Sequence, residues 1–151
     1  MELKYFTEIA DVSVHYDRDS AESSSGYGSK GRPFRPRATP KMIDQLNACF
    51  TDLFSQARFG DAEVITTAGA YVEKPGYHGR GEAFDLDGIF WRDTVLICNE
   101  YPGKPQFYLA VESVLRKYFG TVLSYNYNRA HEDHFHMDIG TTIGFKKMSK
   151  S

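Results

Sequence analysis

The chain has 151 residues, of which 41% are hydrophobic and 25% charged, the size and composition of one globular domain with a buried core. Its formal net charge of -2 argues against a nucleic-acid partner, and no apolar run is long enough to span a bilayer. The first residues show neither the basic nor the apolar segment of a secretory signal peptide. We expect a monomer by default.

The N-terminal segment, residues 1–19, contains one candidate edge strand. Val12, Val14 and Tyr16 alternate with polar residues, which is the pattern of a strand with one buried face. Residues 20–38 are rich in Ser, Gly, Pro and Arg and almost free of aliphatic side chains. This composition predicts a flexible loop or flap, with a passive linker as the alternative.

Two helices are predicted from caps and apolar spacing. Thr39 followed by Pro40 has the pattern of an N-cap and a first helical residue, and apolar residues then recur at helical spacing as far as Phe59. Pro105 opens a second helix, whose apolar positions end before Gly120.

Short β-branched and aromatic runs predict the remaining strands. They cover residues 62–67, 84–89, 93–99, 121–124 and 135–139. The order of elements favours a single α+β domain over residues 39–145, with a central, mostly antiparallel sheet and flanking helices. Residues 146–151 are then a C-terminal tail.

The two cysteines do not identify a structural class. Cys49 and Cys98 are too few for a disulfide scaffold and lack the close spacing of a structural zinc site. One disulfide between them and two buried apolar thiols both remain open.

Four of the five histidines fall in two short segments, 76–88 and 128–138, which also contain carboxylates. A catalytic zinc ion takes three protein ligands from imidazole and carboxylate groups and leaves a fourth position for water or substrate. Alternate residues of a strand share a face, so His134 and His136 project together into a cavity. Glycines at 76, 79 and 81 allow the first segment to turn and bring His78 beside Asp85. Each segment alone is a weak signal, and together they predict a metal site.

The two segments resemble the zinc motifs of known peptidases. His78-x-x-Gly81-x-Ala83-x-Asp85 is similar to the first motif of the D-Ala-D-Ala peptidases and lysostaphin-type (LAS) metallopeptidases, and His134-Phe135-His136 is similar to the second. The run from Phe119 to Asp138 resembles the signature of the bacterial extensin-like C-terminal domain family, which belongs to the same clan. The resemblance covers about residues 35–140 and implies a Hedgehog/DD-peptidase-like fold.

The resemblance also implies residue roles. In the family pattern the ligands of one Zn²⁺ ion correspond to His78, Asp85 and His136. His134 is implied to act beside the metal without binding it, in proton transfer or in stabilising the tetrahedral intermediate. His131 fits a role in polarising water or orienting a ligand, with a surface histidine as the alternative. Asp133 holds the position of a Glu in some clan members and is the third catalytic candidate.

The predictions for residues near the two motifs are less specific. Asp87 and Asp138 follow the ligands at alternating positions and are candidate hydrogen-bond acceptors for the ligand histidines, with turn or strand-end carboxylates as the alternative. Tyr125 and Tyr127 either line a groove or belong to the core. Glu132 is expected to be solvated.

Two departures from the clan pattern bear on specificity. Gly76 replaces the Ser with which many members begin the first motif, so a hydroxyl is lost but no ligand. Many members carry an Arg on the preceding strand, and the comparable stretch here is 69–71, without one. This favours an endopeptidase over a carboxypeptidase that must hold a terminal carboxylate, unless Arg80 or the segment 20–38 supplies the cation.

The implied function is a zinc metallopeptidase that hydrolyses an amide bond in peptidoglycan stems or crosslinks, with peptidoglycan or muropeptides as substrate. Such a substrate lies in the periplasm or outside the cell, so we expect that a signal was removed or that export uses another route. Two alternatives remain open. One is a non-catalytic zinc-containing cell-wall-binding module, its site closed by a fourth ligand such as His134. The other is a zinc hydrolase of a non-wall peptide.

Overall fold

Two helices and ten short strands are present in the part of the chain that the computed structural model describes, residues 2–16, 31–131 and 134–140. The helices are α1 (Pro40–Ser55) and α2 (Pro105–Tyr118). The strands are β1 (Lys4–Tyr5), β2 (Glu8–Ile9), β3 (Val12–Tyr16), β4 (Arg32–Pro33), β5 (Arg37–Ala38), β6 (Val64–Gly69), β7 (Ala83–Phe90), β8 (Val95–Ile97), β9 (Thr121–Leu123) and β10 (Phe135–Asp138). Most of the predicted flap and the whole predicted tail lie outside the described residues.

Eight of these strands form one mixed sheet. Its main path runs β2-β3-β6-β7-β10-β9, with β4 beside β3 and β8 beside β7, while β1 and β5 form a separate pair. Among the described strands, β3 and β6 run parallel and the other pairs are antiparallel. The predicted α+β class and the mostly antiparallel sheet are therefore confirmed.

Strand β3 lies inside the sheet, so the prediction of an edge strand was wrong. It pairs with β6 on one side, where Val14 is in register with Ile65, and with β2 and β4 on the other. Val12 and Val14 are buried, as their alternation predicted. Alternation identifies the buried face of a strand, but its neighbours are determined by contacts distant in sequence.

Helix α1 begins where the capping pattern predicts. The hydroxyl of Thr39 accepts a hydrogen bond from the Met42 amide at 3.2 Å, and Pro40 occupies the first turn. The predicted end at Phe59 was wrong, because the chain leaves the helix at Gln56, which has an extended ψ of 137°. A 3-10 turn over Ala57–Phe59 follows and still buries the Phe59 ring. Helix α2 begins at Pro105 and ends before Gly120, as predicted.

The core occupies the face of the sheet that the helices cover. On β7 and β10 it includes Phe84, Leu86, Phe135 and Met137, in one buried cluster with apolar residues of both helices. Because side chains alternate along a strand, the intervening residues of β7 and β10 project from the opposite face.

Both cysteines belong to this interior. Cys49 on α1 and Cys98 after β8 are buried and free, so the interpretation as two buried thiols is confirmed. The Cys98 thiol donates a hydrogen bond to the Leu86 carbonyl at 3.4 Å.

Candidate metal centre

The centre is built on two neighbouring antiparallel strands. His136 on β10 is directly opposite Asp85 on β7, so both side chains leave the same face of the sheet. His78 reaches them from the 3-10 turn His78–Arg80 that precedes β7. One ligand atom from each of the three residues lies within 4.8 Å of the other two. The structure therefore brings together the three predicted metal ligands.

Glycines allow the turn to adopt this position. Gly81 has a φ of 70°, in the left-handed region that side chains avoid. At Gly79 the constraint is steric, since a Cβ there would lie 1.6 Å from the carbonyl oxygen of Lys74. The glycines predicted to bring His78 beside Asp85 are therefore required by the local geometry.

The orientation of His78 is determined by an irregularity in β6. The register of β6 against β7 shifts around Thr67 and Gly69, and Gly69 has a φ of 149°. Just beyond it, the carbonyl oxygen of Ala70 lies 2.6 Å from Nδ1 of His78. A carbonyl only accepts, so Nδ1 carries a hydrogen and Nε2 is directed away from it, towards Asp85. That Nε2 is 3.2 Å from Oδ1 of Asp85.

His136 is oriented by a carboxylate on its own strand. Its Nε2 lies 2.7 Å from Oδ2 of Asp138, and Asp138 is itself held by the Gly140 amide, which donates to Oδ1 at 2.9 Å. Nδ1 of His136 is left 3.4 Å from Oδ1 of Asp85. The predicted hydrogen bond from His136 to Asp138 is confirmed, and the role of His136 as a metal ligand stays a prediction. Asp87 is buried on β7, and its predicted role stays a prediction.

The Asp85 carboxylate is where the two histidines converge. Its Oδ1 is buried, and neither imidazole contact has hydrogen-bond geometry. Burial alone would raise the pKa of Asp85, but pairing with His136 and His78 holds it well below its usual range. Burial would likewise lower the pKa of His136, but its hydrogen bond to Asp138 and the nearby charge of Asp85 raise it to about 9. A buried carboxylate oxygen without a hydrogen bond, facing two imidazole nitrogens, fits a divalent cation of the zinc type.

The other predicted catalytic histidines lie beside this set. Nε2 of His134 is 3.8 Å from Oδ1 of Asp85, and His134 is not part of the three-residue ligand group. The His131 ring centre is 5.0 Å from that of His134, and its Nδ1 lies 2.6 Å from the Asn128 side-chain oxygen. Asp133 and Glu132 lie outside the described residues, so the roles given to them stay predictions.

A cleft of about 480 Å³ opens over the centre. The described residues that line it are Lys74, Pro75, Tyr77, His78, Asp85, Leu123, Ala130, His131, His134 and His136. The three residues that could hold a metal ion therefore lie beside an open cleft.

Tyr125 and Tyr127, considered as groove residues, and Arg80, considered as a substrate-binding cation, do not line the described cleft. Tyr125 stacks on the core residue Tyr101 with ring centres 6.0 Å apart, which favours the core interpretation. Tyr127 contacts the His131 ring edge-on. Arg80 does not line the cleft; its guanidinium bonds Glu82 at 3.0 Å.

Sequence reasoning missed Lys74, Tyr77 and the carbonyl of Ala70 as parts of the site. A single lysine in a turn-rich segment shows no sequence pattern that distinguishes a cleft residue from an ordinary surface residue. Every residue has a backbone carbonyl, so the sequence does not indicate which carbonyl contacts the site.

No helix in the described ranges combines the length and apolar character needed to cross a membrane.

The model of the family described as Extensin-like protein C-terminus matches residues 64–148, more than half of the chain. The matched range contains His78, Asp85 and both histidines of the His-x-His pair. Searches of curated proteins and of solved structures give no match. The chain therefore belongs to the extensin-like protein C-terminus family.

Proposed function

We propose that this chain is a zinc-dependent peptidase of the LAS clan that hydrolyses an amide bond in the peptide stems or crosslinks of peptidoglycan. The observation that carries the proposal is the buried Oδ1 of Asp85, faced by Nε2 of His78 and Nδ1 of His136 beside an open cleft. The peptidoglycan substrate rests on the resemblance of the two motifs to those of the clan.

The residues present fit one zinc ion, which would be held by His78, Asp85 and His136 through the atoms that face one another, Nε2, Oδ1 and Nδ1. When bound there, zinc supplies a Lewis acid that polarises a carbonyl and lowers the pKa of water from 15.7 to about 7. Ala70 and Asp138 contribute by holding each imidazole in the tautomer that presents a lone pair to the metal.

His134 is our first choice for proton transfer. Its imidazole lies at the cleft wall beside the ligand set, close enough to take a proton from the attacking water and return it to the leaving amine. His131 supports it from the adjacent position. Asp133 remains the third candidate.

An endopeptidase is favoured over a carboxypeptidase. Tyr71 follows the strand where many clan members carry a substrate-binding Arg, and Arg80 is paired with Glu82 away from the cleft. A wall substrate places the protein in the periplasm or outside the cell.

The test combines metal analysis with digestion of purified peptidoglycan, followed by mass spectrometry of the muropeptides. We expect about one zinc per chain and new peptide products, both lost in His136→Ala and after chelation. His15→Ala, a histidine on β3 that does not line the cleft, is the matched control and should keep both. Products that persist in His136→Ala, with folding checked by circular dichroism, would show that the assignment is wrong.

The same experiment separates the alternatives. A wall-binding module would retain zinc, release no muropeptides and lose metal in His134→Ala, because His134 would then close the site. A hydrolase of non-wall peptides would be inactive on peptidoglycan but would cleave members of a peptide library in a zinc-dependent manner.

A further inference from the structure

The cleft over the metal centre contains one described lysine that the proposed reaction does not use. Among the described residues that line it, Lys74 is the only one with a fixed positive charge. The other ionisable groups there are four imidazoles, the phenol of Tyr77 and the carboxylate of Asp85. That carboxylate is already paired with His78 and His136, so it does not neutralise the lysine.

The backbone of Lys74 is held against the turn that carries His78. The Lys74 amide donates to the Val72 carbonyl at 2.8 Å, and the Val72 amide donates to the His78 carbonyl at 3.3 Å. The Lys74 carbonyl packs so closely on Gly79 that no side chain fits between them. The position of Lys74 is thus coupled to a metal ligand, although its side chain is exposed.

Among the described residues that line the cleft, Asp85 is the one carboxylate, and it faces His78 and His136. A lysine ammonium is a strongly hydrated point charge on a flexible stem, and it binds an anion with little demand on geometry. An exposed lysine beside a reacting centre is therefore suited to a carboxylate carried by the substrate rather than by the protein.

We propose that Lys74 is a specificity-determining residue that binds a free carboxylate on a substrate residue next to the scissile amide. The inference rests on the proposed peptidase function and narrows its substrates to peptides with a free carboxylate at that position. The carboxylate has two sources of the same chemistry, and the experiment treats them separately. An acidic side chain agrees with the endopeptidase favoured above, whereas a chain terminus would make the enzyme a carboxypeptidase and overturn that preference.

The test measures binding of two pairs of synthetic peptides to the zinc-loaded protein by isothermal titration calorimetry. The first pair ends in D-Ala-D-Ala with a free or an amidated terminus. The second pair ends in D-Ala-D-Glu or D-Ala-D-Gln, both amidated at the terminus. In every peptide a methyleneamine replaces the last internal amide, so turnover does not interfere.

We expect wild type to bind the acid of at least one pair about tenfold more tightly than its neutral partner. Lys74→Gln should reduce this preference to within about twofold, while Lys74→Arg keeps it because the charge remains. Lys104→Gln, at an exposed lysine before α2 that does not line the cleft, is the matched control and should match wild type.

A preference that survives in Lys74→Gln, or its absence from both pairs in wild type, would overturn the inference. Metal content and peptidoglycan digestion are measured on the same preparations. A Lys74-dependent preference without hydrolysis would support the inference and count against the peptidase function. Hydrolysis without the preference would overturn the inference alone.

Discussion

His136 and Asp138 lie two residues apart on β10, and Nε2 of the histidine is 2.7 Å from Oδ2 of the aspartate. Residues at this spacing share a face of the strand, so the contact needs no contribution from another element. It commits Nε2 to a hydrogen bond and directs Nδ1 at the Asp85 carboxylate. The histidine thus presents one defined nitrogen to the Asp85 carboxylate, at the place where a metal ion could bind.

Asp138→Asn should therefore weaken metal binding while the fold is retained. The asparagine keeps the size of the side chain and an acceptor for the Gly140 amide, but it loses the charge that orients His136. We expect zinc affinity to fall about 10- to 100-fold, measured by competition with a chelating dye. Asp44→Asn, an exposed residue on α1, is the control and should bind zinc as wild type does. Unchanged affinity in Asp138→Asn would contradict the orienting role.

Metal binding at pH 7 should release about one proton from His136. Its pKa in the metal-free fold is raised to about 9, so the imidazole is charged at pH 7 and must lose the Nδ1 proton to bind a cation. The release should be constant between about pH 7 and 8 and decline as the pH rises through 9, where the proton has already left.

Calorimetric titration of zinc into the metal-free protein, in buffers of different ionisation enthalpy, counts this proton. Asp138→Asn removes one of the bonds that raise the pKa and should release fewer protons at pH 7. Identical binding enthalpies in all buffers would show that His136 is neutral before the metal arrives.

Gly79→Ala should disturb both stability and the metal site. The added Cβ would meet the Lys74 carbonyl oxygen at 1.6 Å, so the turn that carries His78 must move. We expect a loss of about 1–3 kcal/mol in the free energy of unfolding by urea, together with weaker zinc binding. Gly103→Ala is the control, because a Cβ there meets nothing within 4 Å. Equal effects of the two substitutions would argue against the packing described for Lys74 and Gly79.

The two cysteines should be unreactive in the folded protein. Burial, followed by the charge of Asp52, raises the pKa of the Cys49 thiol to about 12, and Cys98 is also buried. Only the thiolate reacts, so neither residue should be alkylated by iodoacetamide at pH 8 within minutes. Mass spectrometry should show two modified thiols once the protein is unfolded in urea. A mass that indicates a disulfide in the non-reduced protein would contradict the structure.

Several elements were predictable because their causes are local. The cap of α1 requires only the Thr39 hydroxyl and the amide three residues later, and the proline that follows is compatible with a first turn. The face shared by His134 and His136 follows from strand alternation. The end of α1 was misplaced because apolar spacing continues to Phe59, while burial of that ring is achieved by a separate 3-10 turn.

Other features could not be predicted because they depend on chain segments far apart in sequence. The internal position of β3 depends on its pairing with β6, about fifty residues later. The tautomer of His78 depends on the Ala70 carbonyl, which is displaced by the irregularity in β6. Lys74 became a candidate for substrate binding only when its position in the cleft was known.

The sequence by itself determined which residues can bind a metal, since ligand chemistry and strand or turn spacing are local properties of His78, Asp85 and His136. Only the tertiary structure decided which nitrogen of each histidine faces the carboxylate and which charged residue shares the cleft. Those properties are distances between atoms on separate strands and turns, and a linear sequence does not contain them until packing brings the segments together.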